Sequence, residues 1–206
     1  MNTVGQGKNS GCGIGIWDFV AGTAPAKLSL TNSSLQDAND IGLYLEGAGL
    51  SVSVSNNVLD LASNTWGIEI NNPSGTISSN FVSAPANALV YDPSESGVSI
   101  TYSGNVLRGT TGCAALDLYR PAQVTGNKID GCTVGIALEA APIAVTIKTN
   151  LIVNATTGMF LACNAVTLSG NTVNNAALGV YDFPGPLSSA QVTFDNVDTV
   201  ATSVCP

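Results

Sequence analysis

Histidine is absent from the 206 residues. With it go the commonest general base and the commonest metal ligand, and every Ser-His, Cys-His and His-metal arrangement. Charge is scarce too: 10% of residues carry one, against about 25% in an average soluble domain. Bases are scarcest, six Lys and Arg against 14 Asp and Glu, for a net charge of −8 and a pI near 4.1. A field of that sign repels phosphate backbones, so no nucleic-acid partner is expected. No apolar run approaches the roughly 18 residues of a membrane span, so no membrane insertion is expected. The opening Met-Asn-Thr-Val-Gly-Gln-Gly-Lys lacks the basic region and apolar stretch of a secretion signal. The five cysteines (Cys12, Cys113, Cys132, Cys163, Cys205) contain no Cys-x-x-Cys and are too dispersed for a zinc ribbon. No dense Asp cluster has calcium-loop spacing. On these grounds neither a metal nor a cofactor is expected.

What is present is a globular composition, 45% hydrophobic, long enough for one domain or a domain and a half, and a repeat. The pattern apolar-x-apolar-x-x-Asn-x-apolar recurs, as in Val52-x-Val54-x-x-Asn57-x-Leu59 and Val145-x-Ile147-x-x-Asn150-x-Ile152. Its markers stand at 33, 57, 80, 105, 127, 150, 171 and 195, with Ser33 and Asp195 as weaker copies at the ends. The steps run from 21 to 25 residues and average about 23. A short alternating strand follows most markers: Gly42-Leu43-Tyr44-Leu45, Gly67-Ile68-Glu69-Ile70, Ala115-Leu116-Asp117-Leu118, Gly135-Ile136-Ala137-Leu138, Gly158-Met159-Phe160-Leu161. No segment holds a helical apolar stripe.

One such repeat cannot bury its apolar face alone, whereas stacked repeats share a continuous core of parallel strands. Eight coils at a strand spacing of about 4.8 Å make a rod roughly 35–40 Å long. The recurrent Asn suits a sharp bend, since it tolerates the left-handed conformation and its amide can bond backbone in neighbouring coils. Stacked Asn amides form ladders of that kind. Ser-Gly-Asn-Thr-Val (169–173), Thr-Gly-Asn-Lys-Ile (125–129) and the Gly-Ile-x-Leu strands resemble the repeats of right-handed parallel β-helix proteins, the pectin-lyase-like superfamily. The expected fold is therefore all-β, a right-handed single-stranded parallel β-helix of about eight coils over 13–206, after a lead-in of 1–12. The resemblance implies carbohydrate-active enzymes, phage tailspikes and surface proteins as relatives, and it leaves activity open. No convincing cap stands at either end. The expectation is a segment of a longer protein, or coil ends covered by flanking domains or by copies of the chain itself.

Candidate chemistry lies on the outward positions of these strands. Their middle positions read Tyr44, Glu69, Val90, Asp117, Ala137, Phe160 and Tyr181; just beyond come Glu46, Asn71, Asp92, Tyr119 and Glu139. Sugar recognition uses this mixture, flat rings for pyranose faces and carboxylates for hydroxyls. Equivalent positions two coils apart lie about 9–10 Å from each other, near the separation of about 6.5–9.5 Å used by inverting glycosidases. Asp92, Asp117 and Glu139 are therefore the candidate catalytic carboxylates. Tyr44, Glu69, Tyr119 and Arg120 are the candidate substrate-binding residues. Arg120 is the only well-placed base for a lyase, so hydrolysis suits these residues better than elimination. Carboxylates on an exposed sheet face also serve simply to stay solvated and discourage edge pairing.

Cys113 and Cys132 lie at similar points on adjacent coils and suit a disulfide; Cys163 and Cys205 are less well aligned. An odd count leaves at least one thiol unpaired within the chain, with burial in the core as its default place. The sequons Asn32-Ser-Ser and Asn154-Ala-Thr matter only in a glycosylating pathway. Two functions follow from the whole: an extracellular or cell-surface module whose partner is a polysaccharide or other glycan, bound or hydrolysed through these surface carboxylates, or a non-catalytic structural or adhesive solenoid. The mixed outward columns argue against an ice-binding solenoid.

Overall fold

The computed structural model describes residues 14–17, 26–36, 41–61, 66–84, 87–94, 98–139 and 143–205. The expected lead-in 1–12 and Cys12 lie outside them. Each turn of the chain makes three short strands, as in Leu50–Ser55, Val58–Asp60 and Trp66–Asn71. Every strand pairs in parallel with its counterpart one turn away, for example Leu43 with Ile68 and Val54 with Ile77. The result is a right-handed parallel β-helix of about seven turns. Among the described residues there is no helix, and none long and apolar enough to cross a membrane.

Three faces result. A flank sheet of seven strands runs from Ala26–Thr31 to Thr167–Ser169. A back face of three-residue strands runs from Ser34–Gln36 to Leu151–Val153. The front face includes Ile41–Glu46, Trp66–Asn71, Ala88–Asp92, Ala114–Leu118, Val134–Leu138 and Thr157–Phe160. Front and back merge in Asn171–Tyr181, which runs unbroken across both. The chain has fewer turns than the eight markers suggest because its ends make partial ones. Ile14–Trp17 adds a front strand, and Val192–Thr202 covers back and front together. The last weak marker is displaced: Asn171 aligns with Val192, and Asp195 aligns with Asn174.

The marker asparagines line the bend between flank and back faces, buried to within 1% exposure. Asn57 donates from its backbone N and from Nδ2 to Oδ1 of Asn80 (3.0 and 2.9 Å), and Asn80 does the same to Asn105. The ladder continues through Asn127 and Asn150 to Asn171. A second Nδ2 bond from each reaches a flank-strand carbonyl, such as Asn105 to Ile77 O at 2.9 Å. Each amide thus closes backbone groups that a bend in the interior would otherwise orphan. The left-handed conformation falls on the preceding residue instead: Asn56, Ser79, Gly104, Gly126, Thr149 and Gly170 all have φ between 53° and 66°.

The front strands show a second constraint. Gly42, Gly67, Gly135 and Gly158 sit where the next coil's backbone passes close by; a Cβ on Gly67 would lie 2.2 Å from the carbonyl of Leu89. Beyond this point the strands alternate cleanly. Leu43, Ile68, Val90, Leu116, Ile136 and Met159 enter the core, and the residue after each faces out.

Candidate functional site

The outward middle column of the front face reads Tyr44, Glu69, Tyr91, Asp117, Ala137, Phe160 and Tyr181, each aligned with the next. Val90, expected in this column, is in the core. The neighbouring coils are phased by Gly67 or by an alternating strand, but the third carries Leu89 in the glycine place, so Tyr91 takes the outward position.

That shift of one residue also moves Asp92. It aligns with Leu118 on the inward side and is fully buried, so it is not the surface carboxylate expected. Arg120 is fully buried as well and does not reach a surface ligand. Asp92 Oδ2 accepts from Arg120 Nε at 2.7 Å and from the Tyr102 hydroxyl at 2.5 Å. Arg120 Nη1 donates to the Pro73 carbonyl at 2.6 Å. The two charges are held in the interior by each other and by these added bonds, with Arg120 Nη2 left without a partner among the described residues. Burial, then the Asp92 charge, drives the Tyr102 phenol well above its ordinary value of 10.

The remaining candidates do face out. Tyr44 sits toward one end of the column, its hydroxyl donating to Glu46 Oε2 at 2.8 Å. Glu69 stands between Tyr44 and Tyr91. Asp117 and Tyr119 occupy one strand and its exit, and Glu139 follows on the next coil, its backbone N bonded to the Leu118 carbonyl. Around Asp117 two residues enter that sequence reasoning missed. Trp66 and Tyr91 meet edge to face, centroids 4.4 Å apart at 82°, and Tyr91 meets Tyr119 at 6.0 Å and 89°. The three rings run diagonally over three consecutive coils. Ala88 and Ala114 are too small to fill the space beside Trp66, leaving a hollow of about 340 Å³ lined also by Tyr91, Asp117 and Tyr119. Placing Leu89 at the glycine position would have revealed Tyr91. Trp66 was visible as the residue ahead of Gly67.

The electrostatics of the hollow are those of a crowded anion. Asp117 Oδ1 is buried and meets no hydrogen-bond donor among the described residues. Burial, and then the charge of Glu139, push its carboxyl from 3.8 up to about 7. Tyr119 is pushed up to about 12 by burial and by Asp117 and Glu139. Two coils beyond Asp117, Phe160 and Tyr181 stack nearly parallel at 5.6 Å and 22°. The arrangement offers a proton-holding carboxyl beside three rings, of which Tyr91 stands perpendicular to the other two, and a flat aromatic platform further along.

Cys113 and Cys132 are joined by a disulfide between adjacent coils, Cα atoms 5.0 Å apart. Cys163 and Cys205 are joined too, contrary to their poor alignment in sequence. The tail beyond Thr202 lies against the corner at Cys163, where Val204 N donates to Asp182 Oδ1 at 3.1 Å.

Fold and face together define a parallel β-helix with a ring-lined hollow on one sheet. A family model described as the periplasmic copper-binding protein NosD matches residues 30–186, and the chain belongs to that family of pectin-lyase-like β-helices. No curated protein and no solved structure matches it. Copper in proteins is held chiefly by imidazole, thiolate and thioether. This chain has no histidine, its Met159 is sealed in the core, and four cysteines are in disulfides. Cys163, Asp182 and Cys205 bring ligand atoms within 4.8 Å of one another, but both sulfurs are spent on each other. The described residues do not fit a copper centre, and no step through copper is derived.

Proposed function

We propose that the front face is a glycan-binding surface of a β-helix module outside the cytoplasm. The observation that carries it is the diagonal of Trp66, Tyr91 and Tyr119 beside Asp117, rings and a carboxylate around one hollow. Rings present apolar faces to pyranoses and the carboxylates accept from sugar hydroxyls. The compartment is supported by two disulfides, which persist in oxidising surroundings, and by the periplasmic description of the family. Titration with a panel of oligosaccharides tests the reading. Tyr91→Ala is expected to weaken the bound one about tenfold, roughly 1.4 kcal/mol, with the thermal transition retained. Binding of no glycan leaves a structural or adhesive solenoid.

A hydrolytic use of the same face has one observation in its favour: a carboxyl that holds its proton up to about pH 7 at Asp117, with Glu139 exposed on the next coil. A carboxyl that keeps its proton beside a second carboxylic side chain suits a general acid. Release of reducing ends, lost in Asp117→Asn, supports hydrolysis; binding without release makes the module non-catalytic.

A further inference from the structure

We infer that the hollow between Trp66, Tyr91 and Tyr119 takes a protonated amine, so that the glycans this face selects are those carrying free amino groups. The inference rests on the glycan reading above and names the chemical class.

Three observations converge on it. The first is the sign of the charge. The acidic groups at the hollow are Asp117 in its lining, Glu69 on the coil before Tyr91 and Glu139 on the coil after Asp117. The cations of the described residues lie elsewhere. Arg120 is buried on Asp92, Lys27 and Lys148 belong to the flank sheet, and Arg108 and Lys128 to the back face. A uronate brought here meets repulsion, and a cation meets attraction.

The second is the geometry of the rings. Tyr91 stands nearly perpendicular to both neighbours, so the three rings do not form one flat platform. A flat neutral pyranose stacks best on a flat platform; a compact ammonium is held best by several ring faces at once. The flat platform exists too, at Phe160 and Tyr181. It begins two coils, about 10 Å, from Asp117, with only Ala137 between. An amino sugar in the hollow therefore has a place for a following sugar along the same face.

The third is the state of Asp117. Its Oδ1 lacks a donor among the described residues, and the carboxyl keeps its proton far above the usual range because burial and Glu139 oppose the charge. An ammonium supplies both what the oxygen lacks and what the charge lacks.

The test is calorimetric titration at pH 6 and pH 8 with four probes: a glucosamine hexamer, an N-acetylglucosamine hexamer, a galacturonate hexamer and choline. The glucosamine hexamer is expected to bind at least tenfold more tightly than its acetylated form at pH 6, and galacturonate not to bind. Asp117→Asn should abolish the preference while the thermal transition is kept. Choline, whose charge does not titrate, should bind more tightly at pH 8 than at pH 6, since Asp117 ionises across that interval. Equal binding of both hexamers, or a preference that survives Asp117→Asn, overturns the amine inference and leaves the glycan reading standing. An equal loss from Glu46→Gln, three coils away, reduces the preference to bulk attraction and overturns the inference as well. Choline binding without any oligosaccharide overturns the glycan reading and with it the amino-sugar class. Silence from all four probes overturns both.

Discussion

Asp117 and Asp92 are the same residue type in similar strands, and their surroundings give them opposite roles. Asp92 is wholly inside, balanced by Arg120. Asp117 is half-buried with no cation beside it among the described residues and holds its proton up to about pH 7 rather than the ordinary 3.8. Folding therefore takes up a proton between about pH 4 and about pH 7. Because the native state binds more protons than the unfolded chain in that window, stability falls as pH rises through it and stays reduced above it. Solvent screens part of the effect at a half-exposed group, leaving about 1–2 kcal/mol. Asp117→Asn should thus be more stable than the parent by about that amount at pH 8 and no more stable at pH 4, as urea denaturation at both pH values will show. Equal effects at the two pH values would mean that the carboxylate is already compensated in the native state. Such a cost at neutral pH is what the binding role proposed for Asp117 entails.

At the scale of the turn, the Asn ladder does the corresponding structural work. Asn105→Ala would leave Asn80 N and Nδ2 without their acceptor and Ile77 O without the Nδ2 donor, while Asn127 Oδ1 would keep only the backbone N of residue 105. At about 1–3 kcal/mol for each buried orphan, partly relieved by relaxation, the expected loss is about 3–5 kcal/mol in denaturant titration. Asn57→Ala should cost less, because Ser33 N is the one donor to its Oδ1 among the described residues. Equal losses at the two sites would show that the ladder does not add up bond by bond. The repeat, the strands and this ladder were legible in sequence because a 23-residue period repeats the same demand at every coil. The surface site was legible only in part. Asp117, Tyr119 and Glu139 were visible because their coils alternate without ambiguity, whereas Ala88-Leu89-Val90 is apolar at three successive positions and carries no glycine to set the phase. A slip of one residue there exchanged Tyr91 for Val90 and turned Asp92 from core to surface. The Asp92–Arg120 pair spans 28 residues, and no local pattern announces such a partner.

A solenoid of this kind has no centre: each coil is held by its two neighbours, and stability is set by those interfaces and by how the ends are closed. Val192–Thr202 pairs with Asn171–Tyr181 and, among the described residues, with nothing on its other side. Val200 within it and Val204 just beyond it are 48% and 73% exposed. Such a coil should open before the interior. The Cys163–Cys205 bond counters this by tying the tail across 42 residues to an earlier corner, a closure worth about 4 kcal/mol in chain entropy. Cys113–Cys132 closes only 19 residues, between coils already covered on both sides. Hydrogen exchange followed by mass spectrometry distinguishes the two. Cys163→Ser with Cys205→Ser should speed exchange at least tenfold within 192–202 and leave 100–103 as in the parent. Cys113→Ser with Cys132→Ser should leave 192–202 unchanged. Uniform acceleration along the rod in the first variant would mean that the coils open as one unit and that the tail bond stabilises the whole molecule. If exchange is confined to the end, the bond keeps the last coil on Tyr181, and so protects the edge of the front face where the Phe160–Tyr181 platform lies.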